Sequence, residues 1–403
     1  MNPALLALHI ASCYWAAHSG LSLWKSRRAH TLFLKNRKWL LERNLAGHKG
    51  KAAIIIPTKG ISSNFDRFFE FITTQDYGHY RIIFVTESIE DPAHLALRKK
   101  LQSGGSEKEI TLLVAGHTVD CAQKVHNQLS AMESLREDDE LIVFADDDLY
   151  GKPDWLTNLV LPINSGTSDL TTGHRWFIPE NSKLPNLIIG SLGIAMESWI
   201  TAGWRTVLWG GSMAMSRTAY LDLNVREQLA RCLNDDVRIT QIALQGGKRL
   251  RYVRAVEGFT PCDFTHNSLY EFGRRQYLHL ATYLPKIALL NALFALLYIA
   301  SFLTSILLLA SGSFWSLLPV FAGVAFNLLR CSSRARYIRD RFPPQEAEKL
   351  LPINAKSWWV DPFERLATLL VSTSALLGKE MVWGSLRYRI RGPRDIEISE
   401  KDI

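Results

Sequence analysis

Several features that would classify a chain at once are missing from this 403-residue sequence. The five cysteines, Cys13, Cys121, Cys232, Cys262 and Cys331, show no paired spacing. That indicates neither a disulfide framework nor a zinc site, and favours a reducing compartment for the main domain. No GxGxxG and no GxxxxGK(S/T) occurs, so neither a dinucleotide fold nor a P-loop ATPase is indicated. His79, His117, His126, His174, His266 and His279 form no HxxxH or HExxH pair and read as ordinary polar residues, although His266 falls near arginines that could touch a substrate.

Charge is absent over residues 287–309, IALLNALFALLYIASFLTSILLL, which is long enough to span a bilayer with some tilt. After the turn ASGS comes a second apolar run, 314–329, FWSLLPVFAGVAFNLL. A transmembrane hairpin is expected over 285–329, because the core helices of a soluble protein rarely lack charge for so long. Residues 1–24 form a weaker span that carries His9 and His18 and is followed by no small-residue cleavage site, so a retained anchor is expected.

What is present is a modest basic excess, 47 Lys+Arg against 39 Asp+Glu, for a net charge of +8. Its placement beside apolar runs points to a membrane face and away from nucleic acid. Lys25, Arg27, Arg28, Lys35, Arg37 and Lys38 crowd a linker at 25–48, and Arg330, Arg334, Arg336, Arg339 and Arg341 follow the hairpin. Both stretches are expected on the cytoplasmic side, with the intervening domain. A last apolar segment, about 362–378, opens with Glu364 and Arg365 and precedes the basic tail Arg387, Arg389, Arg391 and Arg394. If it spanned, that tail would face outward, so a re-entrant or interfacial helix is expected within 330–403.

Between these segments, residues 49–284 alternate β-type and helical patterns. AAIIIPTKG, YRIIFVTES, EITLLVAG and ELIVFADDD are separated by helical stretches at 64–75, 92–101 and 122–135. This alternation predicts an α/β domain with a mostly parallel sheet. Ligands of such sheets bind beyond the carboxyl ends of the strands, which is where Asp146, Asp147 and Asp148 of FADDDLYGKPDW fall. Adjacent carboxylates repel unless a cation shares them, and hard oxygens suit Mg²⁺ or Mn²⁺ held together with a diphosphate. A solvated acidic turn is the plainer alternative. Glu87 and Asp91 follow the second strand, and Asn234-Asp235-Asp236 precedes the helical VRITQIALQGG, where a simple N-cap is the rival reading. Three acidic clusters after separate elements favour one shared cleft. Gly210-Gly211 alone is too little for a phosphate loop. RWFIP and GSLGIAMESWI suit either an acceptor wall or plain core, and core is preferred for the second.

The ordered series IIIPTKG, TESIEDP, AQKVHNQL, FADDDLYGKPDW, WGGSMAMSR and NDDVR, followed by apolar helices, resembles the family 2 and family 21 glycosyltransferases. The likeness is strongest to the ceramide glucosyltransferase branch, including bacterial hopanoid-type lipid glycosyltransferases, and the tail VWGSLRYRI is similar to the end of bacterial members. The resemblance implies a GT-A type domain and an integral protein of a bacterial inner membrane. It implies a hexosyltransferase that takes a hexose from a UDP-sugar, UDP-glucose first, to the hydroxyl of a lipid such as ceramide, with transfer of a sugar or N-acetylhexosamine to a hopanoid or diacylglycerol as the alternative. Glu87, Asp91, Lys124, Asn127 and Gly211 would bind the nucleotide sugar, with Asp146 and Asp148 holding a divalent cation as the DxD pair. Asp236 would be the general base of a direct, inverting displacement, with Asp235 beside it as an acceptor or diphosphate contact. The family's QxxRW or RxxRW is not matched here. Arg274, Arg275, Gln276 and Tyr277 stand in its place as expected diphosphate or acceptor contacts, with snorkelling anchors as the alternative for the arginines. A processive polysaccharide synthase would need more pore-forming helices and an intact QxxRW. A catalytically dead scaffold would be expected to have lost some of these carboxylates.

Overall fold

The computed structural model describes residues 3–44, 50–104, 106–200, 206–383 and 386–400. The expected boundary at 48/49 and Gly384-Ser385 of the tail motif therefore lie outside the described residues. The chain opens with α1 (Pro3–Asn44), β1 (Lys51–Pro57), α2 (Phe65–Thr73), β2 (Tyr80–Thr86), α3 (Pro92–Gln102), β3 (Glu109–Val114), α4 (Gln123–Glu133) and β4 (Asp139–Ala145). It continues with α5 (Trp155–Asn164), β5 (Leu170–Pro179), α6 (Leu184–Trp199), β6 (Ser212–Ser216), α7 (Arg217–Asp222), α8 (Val225–Leu229), α9 (Asp236–Gln245) and β7 (Leu250–Cys262). Then come α10 (His266–Tyr283), α11 (Pro285–Ala310), a short 3-10 turn (Phe314–Ser316), α12 (Leu317–Arg341), α13 (Pro344–Leu377), β8 (Glu380–Trp383), β9 (Leu386–Gly392) and β10 (Asp395–Glu400).

Two compact units result: residues 35–175, 200–260 and 379–403 in one, and 1–34, 176–199 and 261–378 in the other. The stretch 49–284, expected as one domain, thus contributes to both. In the first unit a seven-stranded sheet has the order β3-β2-β1-β4-β6-β5-β7. β3, β2, β1 and β4 run parallel, with Ile54 paired to Ile82 on one side and to Val143 on the other. β6 runs antiparallel to β4. The apolar runs of β1, β2 and β4 are buried along almost their whole length, as strands covered on both faces must be. Helix α2 buries Phe65, Phe68, Phe69 and Ile72, and Phe68 meets Phe84 of β2 edge-on at 6.2 Å. The buried pair Arg81–Asp139, joined at 3.0 and 2.6 Å, locks the start of β2 to the start of β4. The carboxyl ends of β1, β2 and β4 are thereby set side by side. The tail β8–β10 forms an antiparallel sheet in this same unit. Two of the tail arginines pair within that sheet: Arg389 with Glu380 and Arg391 with Glu397.

The second unit is helical. Among the described residues, α11 and the run Phe314–Arg341 are long and apolar enough to cross a membrane. Helix α1 runs unbroken through the expected anchor boundary at residue 24, because Lys25 to Lys38 hold no Gly or Pro and are rich in Lys, Arg, Leu and Ala. The expected basic loop after residue 329 is instead the second half of α12, in which Arg330, Arg334 and Arg341 are buried while Arg336 and Arg339 stay exposed. Arg330 meets Asp361 of α13 at 2.6 Å, and Arg341 meets Glu197 of α6 at 3.1 Å. The segment 362–378 is the second half of α13, with Glu364 buried. Helix α6 buries most of its length, and within GSLGIAMESWI Gly190, Ser191, Gly193, Ile194, Ala195, Glu197 and Ser198 are buried, so most of that segment is core, with Met196 exposed.

Candidate active site

Asp146, Asp147 and Asp148 begin where β4 ends, as the parallel arrangement requires. Lys124, in the first turn of α4, places its ammonium 2.9 Å from Asp146 Oδ1 and 3.3 Å from Asp235 Oδ2. Arg175, in β5, reaches Asp146 Oδ2 at 2.5 Å and Asp148 Oδ1 at 3.2 Å, with its guanidinium 5.1 Å from the Trp209 ring centroid. Asp147 Oδ2 accepts the Lys59 N–H at 3.3 Å. Asp235 Oδ2 also accepts from Gln128 Nε2 at 2.6 Å, while Oδ1, though buried, has no hydrogen-bond partner among the described residues. Asp236 Oδ2 accepts the Gly210 N–H at 2.8 Å.

The two glycines are forced by this packing. A Cβ on Gly210 would lie 2.6 Å from Asp235 Oδ2 and 3.0 Å from Lys124 Nζ. One on Gly211 would lie 2.6 Å from Asp146 Oδ2 and 2.4 Å from the Trp209 ring. Only a residue without a side chain lets the backbone pass this close to the carboxylates.

Four carboxylates, Asp146, Asp148, Asp235 and Asp236, thus share two near cations, Lys124 and Arg175, and Asp147 stands beside them in the triplet. Burial opposes charge on Asp146, yet Lys124 and Arg175 outweigh it and hold that carboxyl below its usual range. Burial wins at Asp148 despite Arg175 and raises it. At Asp147 burial, then the charges of Asp148 and Asp146, push the carboxyl up to about 8. At Asp236 burial and then Asp235 push it up to about 6, against Lys124 and the Gly210 N–H. Burial disfavours charge on Lys124, but Asp146, Asp235 and Asp236 together raise its affinity for a proton.

The cluster is short of positive charge, and its donors are hard oxygens. No group of three or more His, Cys, Asp or Glu among the described residues could enclose a metal ion alone. A carboxylate pair whose remaining ligands come from a diphosphate suits Mg²⁺ or Mn²⁺ under that condition.

The other expected site residues divide. Glu87 pairs with Lys59 at 2.8 Å beyond β2. Asp91 is an N-cap: its Oδ1 accepts the Ala93 N–H at 2.8 Å and the Gly60 N–H at 2.9 Å. At α9 Asp235 makes no capping bond, and the first-turn Val237 N–H goes instead to Asn234 Oδ1 at 2.8 Å and Asp236 Oδ1 at 2.7 Å. Asn127 is buried, accepting from Gln123 and donating to the Val85 carbonyl, which makes it a strut under β2. Arg274, Arg275, Gln276 and Tyr277 lie on α10 in the helical unit. There Arg274 donates to Ser374 at 2.9 Å, Arg275 lies over Phe272, and Gln276 is exposed. Arg175, Trp209, Lys59 and Gln128 were not expected at the site. Arg175 was visible only as the first residue of RWFIP, and its acidic partners lie 27 and 29 residues earlier.

Among curated proteins no sequence matches. Solved structures overlap the chain at low identity. The mannosyltransferase PcManGT from Pyrobaculum calidifontis, in complex with GDP-Man and Mn2+, is 14% identical with a TM-score of 0.48, over 92% of this chain and 99% of that one. S. aureus TarS 1-349, in complex with UDP-GlcNAc, is 11% identical with a TM-score of 0.39, over 87% of this chain and 100% of that one. The sequence profile described as Glycosyl transferase family 21 matches residues 6–396, nearly the whole length, and the chain belongs to that family.

Proposed function

We propose that this glycosyltransferase moves a hexose from a UDP-sugar, UDP-glucose first, to the hydroxyl of a membrane lipid such as ceramide, at the cytoplasmic face of a bacterial inner membrane. The observation that carries the reading is the buried cluster of four carboxylates, Asp146, Asp148, Asp235 and Asp236, around Lys124 and Arg175, with Asp236 pushed up to about 6. In a GT-A type reading of the sheet, Asp146 and Asp148 would hold a divalent cation, which would stabilise negative charge on the departing diphosphate. Lys124 adds a fixed positive charge to the same region. Glu87, placed beyond β2 beside Lys59, is suited to accept hydrogen bonds from the nucleotide.

Asp236 takes the proton of the acceptor hydroxyl as that oxygen forms its bond to the anomeric carbon and the bond to the diphosphate oxygen breaks. The displacement is direct, so the anomeric configuration inverts and no sugar becomes attached to the protein. A carboxylate near 6 is mostly ionised at neutral pH and basic enough to accept that proton. The lipid acceptor is supported by the two helices long and apolar enough to cross a bilayer.

Membranes holding the protein are to be assayed with labelled UDP-glucose and with ceramide, a hopanoid polyol or diacylglycerol. Sugar should pass to one of these lipids, and Asp236→Asn should abolish transfer while leaving donor binding in place. No lipid-linked sugar from any UDP-hexose, or full transfer by Asp236→Asn, overturns the reading.

A further inference from the structure

Helix α4, which carries Lys124, begins without a cap of its own. Ala122 stands at its N-cap and has no side-chain acceptor. First-turn N–H groups are normally taken by Ser, Thr, Asp or Asn at that position. Here the Gln123 N–H is accepted by the Tyr388 hydroxyl, 265 residues further along in β9, at 3.4 Å. Tyr388 is 1% exposed, and burial pushes its phenol up to about 12, so the hydroxyl stays neutral.

A second contact from the same tail falls on the other half of the carboxylate cluster. Arg394, between β9 and β10, donates from Nε to the Ala230 carbonyl at 3.2 Å and from Nη2 to the Glu227 carbonyl at 3.0 Å. These carbonyls close α8, just ahead of the segment that delivers Asp235 and Asp236. The Ala122 N–H in turn reaches the Cys232 carbonyl of that segment at 3.0 Å. The tail therefore touches both flanks of the Lys124–Asp235 ion pair, and the two flanks are bonded to each other.

We propose that the C-terminal sheet β8–β10 is a brace for the donor half of the active site, in which Tyr388 and Arg394 are positioning residues that fix Lys124 between Asp146 and Asp235. Neither meets the carboxylates directly. Their influence passes through the start of α4 and the end of α8, so it falls on nucleotide affinity. This rests on reading the Lys124–Asp146 centre as the diphosphate site.

The test uses the full chain in detergent and UDP with Mn²⁺ as the probe. Tyr388→Phe keeps the ring and removes the acceptor oxygen. UDP affinity should fall roughly fivefold, the scale of one lost helix cap. In a Lys124→Gln background the same substitution should change UDP affinity no further, because its effect runs through Lys124. A purely structural role would weaken both backgrounds alike. Arg394→Ala should act in the same direction as Tyr388→Phe. Wild-type affinity in Tyr388→Phe, or an undiminished effect in the Lys124→Gln background, overturns the brace. If the unaltered protein binds no UDP, it is the donor reading that fails. Amide exchange at Gln123 and Lys124 then decides the brace: faster exchange in Tyr388→Phe upholds it and unchanged exchange refutes it.

Discussion

Arg175 Nη2 lies 2.5 Å from Asp146 Oδ2, so the carboxylate expected to face a divalent cation already faces a guanidinium. The same arginine reaches Asp148 at 3.2 Å, straddling the two ends of the acidic triplet. A cation entering between these carboxylates competes with that positive charge. Arg175→Gln, which keeps polarity and removes charge, should lower the Mn²⁺ concentration needed for half-maximal activity by roughly 3–10-fold, the effect of about 1 kcal/mol of relieved competition. Titration of activity with Mn²⁺ after chelator treatment checks this, and an unchanged or higher requirement contradicts it.

Asp147 is set apart from its neighbours by its partners. Asp146 and Asp148 meet Arg175, whereas Asp147 accepts from the backbone N–H groups of Lys59 and of Asp147 itself and is pushed up to about 8 by burial and by both neighbours. A carboxyl with a folded value near 8 and an ordinary unfolded one favours the folded state at low pH. That contribution fades as pH rises from about 4 to about 8. Asp147→Asn resembles the protonated form. Without metal its melting temperature should match wild type near pH 4 and exceed it increasingly towards pH 8. Asp146→Asn and Asp148→Asn should instead cut transfer by at least about 100-fold, the scale seen when a charge-stabilising group is lost. Melting curves across pH and rates at saturating Mn²⁺ separate the three positions.

The general-base assignment has a pH signature of its own. With Asp236 near 6, kcat/KM should be low below pH 5, rise through about 6 as the proton leaves, and level off near 7. Removing the neighbouring charge with Asp235→Asn takes away the second-largest cause of the upward shift. The acid limb should then move to lower pH. A limb that stays in place when Asp235 is neutralised would assign it to another group.

The sheet was legible because its strands are buried on both faces and read as uninterrupted apolar runs, and the acidic triplet was legible because three like charges end one of them. Asp91 shows where such reading stops. A carboxylate after a strand looks the same in sequence whether it meets a ligand or caps the next helix, and only the Ala93 and Gly60 N–H groups on Oδ1 tell the two apart. Arg175 was hidden for a related reason: nothing local to RWFIP signals a partner just beyond the end of another strand. The arginines of α12 misled in the other direction, since a basic run beside an apolar one reads as a surface loop until Asp361 and Glu197 are seen to meet it.

The Asp91 geometry predicts a stability effect. Asp91→Ala removes the acceptor for two backbone N–H groups and should lower unfolding free energy by about 1 kcal/mol, within the usual range for a lost cap. The preference among UDP, GDP and ADP should stay as it was. Asp91→Asn, which retains the acceptor oxygen, should recover most of the stability. Altered nucleotide preference in both variants, with unchanged melting, would return Asp91 to the binding site.

Gly210 and Gly211 give the sharpest steric test. Neither carries an unusual backbone angle, so the need for glycine comes from proximity alone. An alanine methyl at 211 would sit 2.6 Å from Asp146 Oδ2, and the neighbouring Trp209 ring closes the other side at 2.4 Å. The carboxylate is the movable party, and moving it draws Asp146 away from Lys124 and Arg175 together. Gly211→Ala should therefore lose transfer by roughly 100-fold, as misplacement of a reacting group by about 1 Å does. At 210 the methyl meets Asp235 Oδ2 and Lys124 Nζ, so Gly210→Ala should chiefly weaken UDP binding. Kinetics of the two variants separate the effects: a fall in kcat dominates at 211 and a rise in donor KM at 210. Equal and small changes at both positions would mean that the carboxylates are not held where the ion pairs put them.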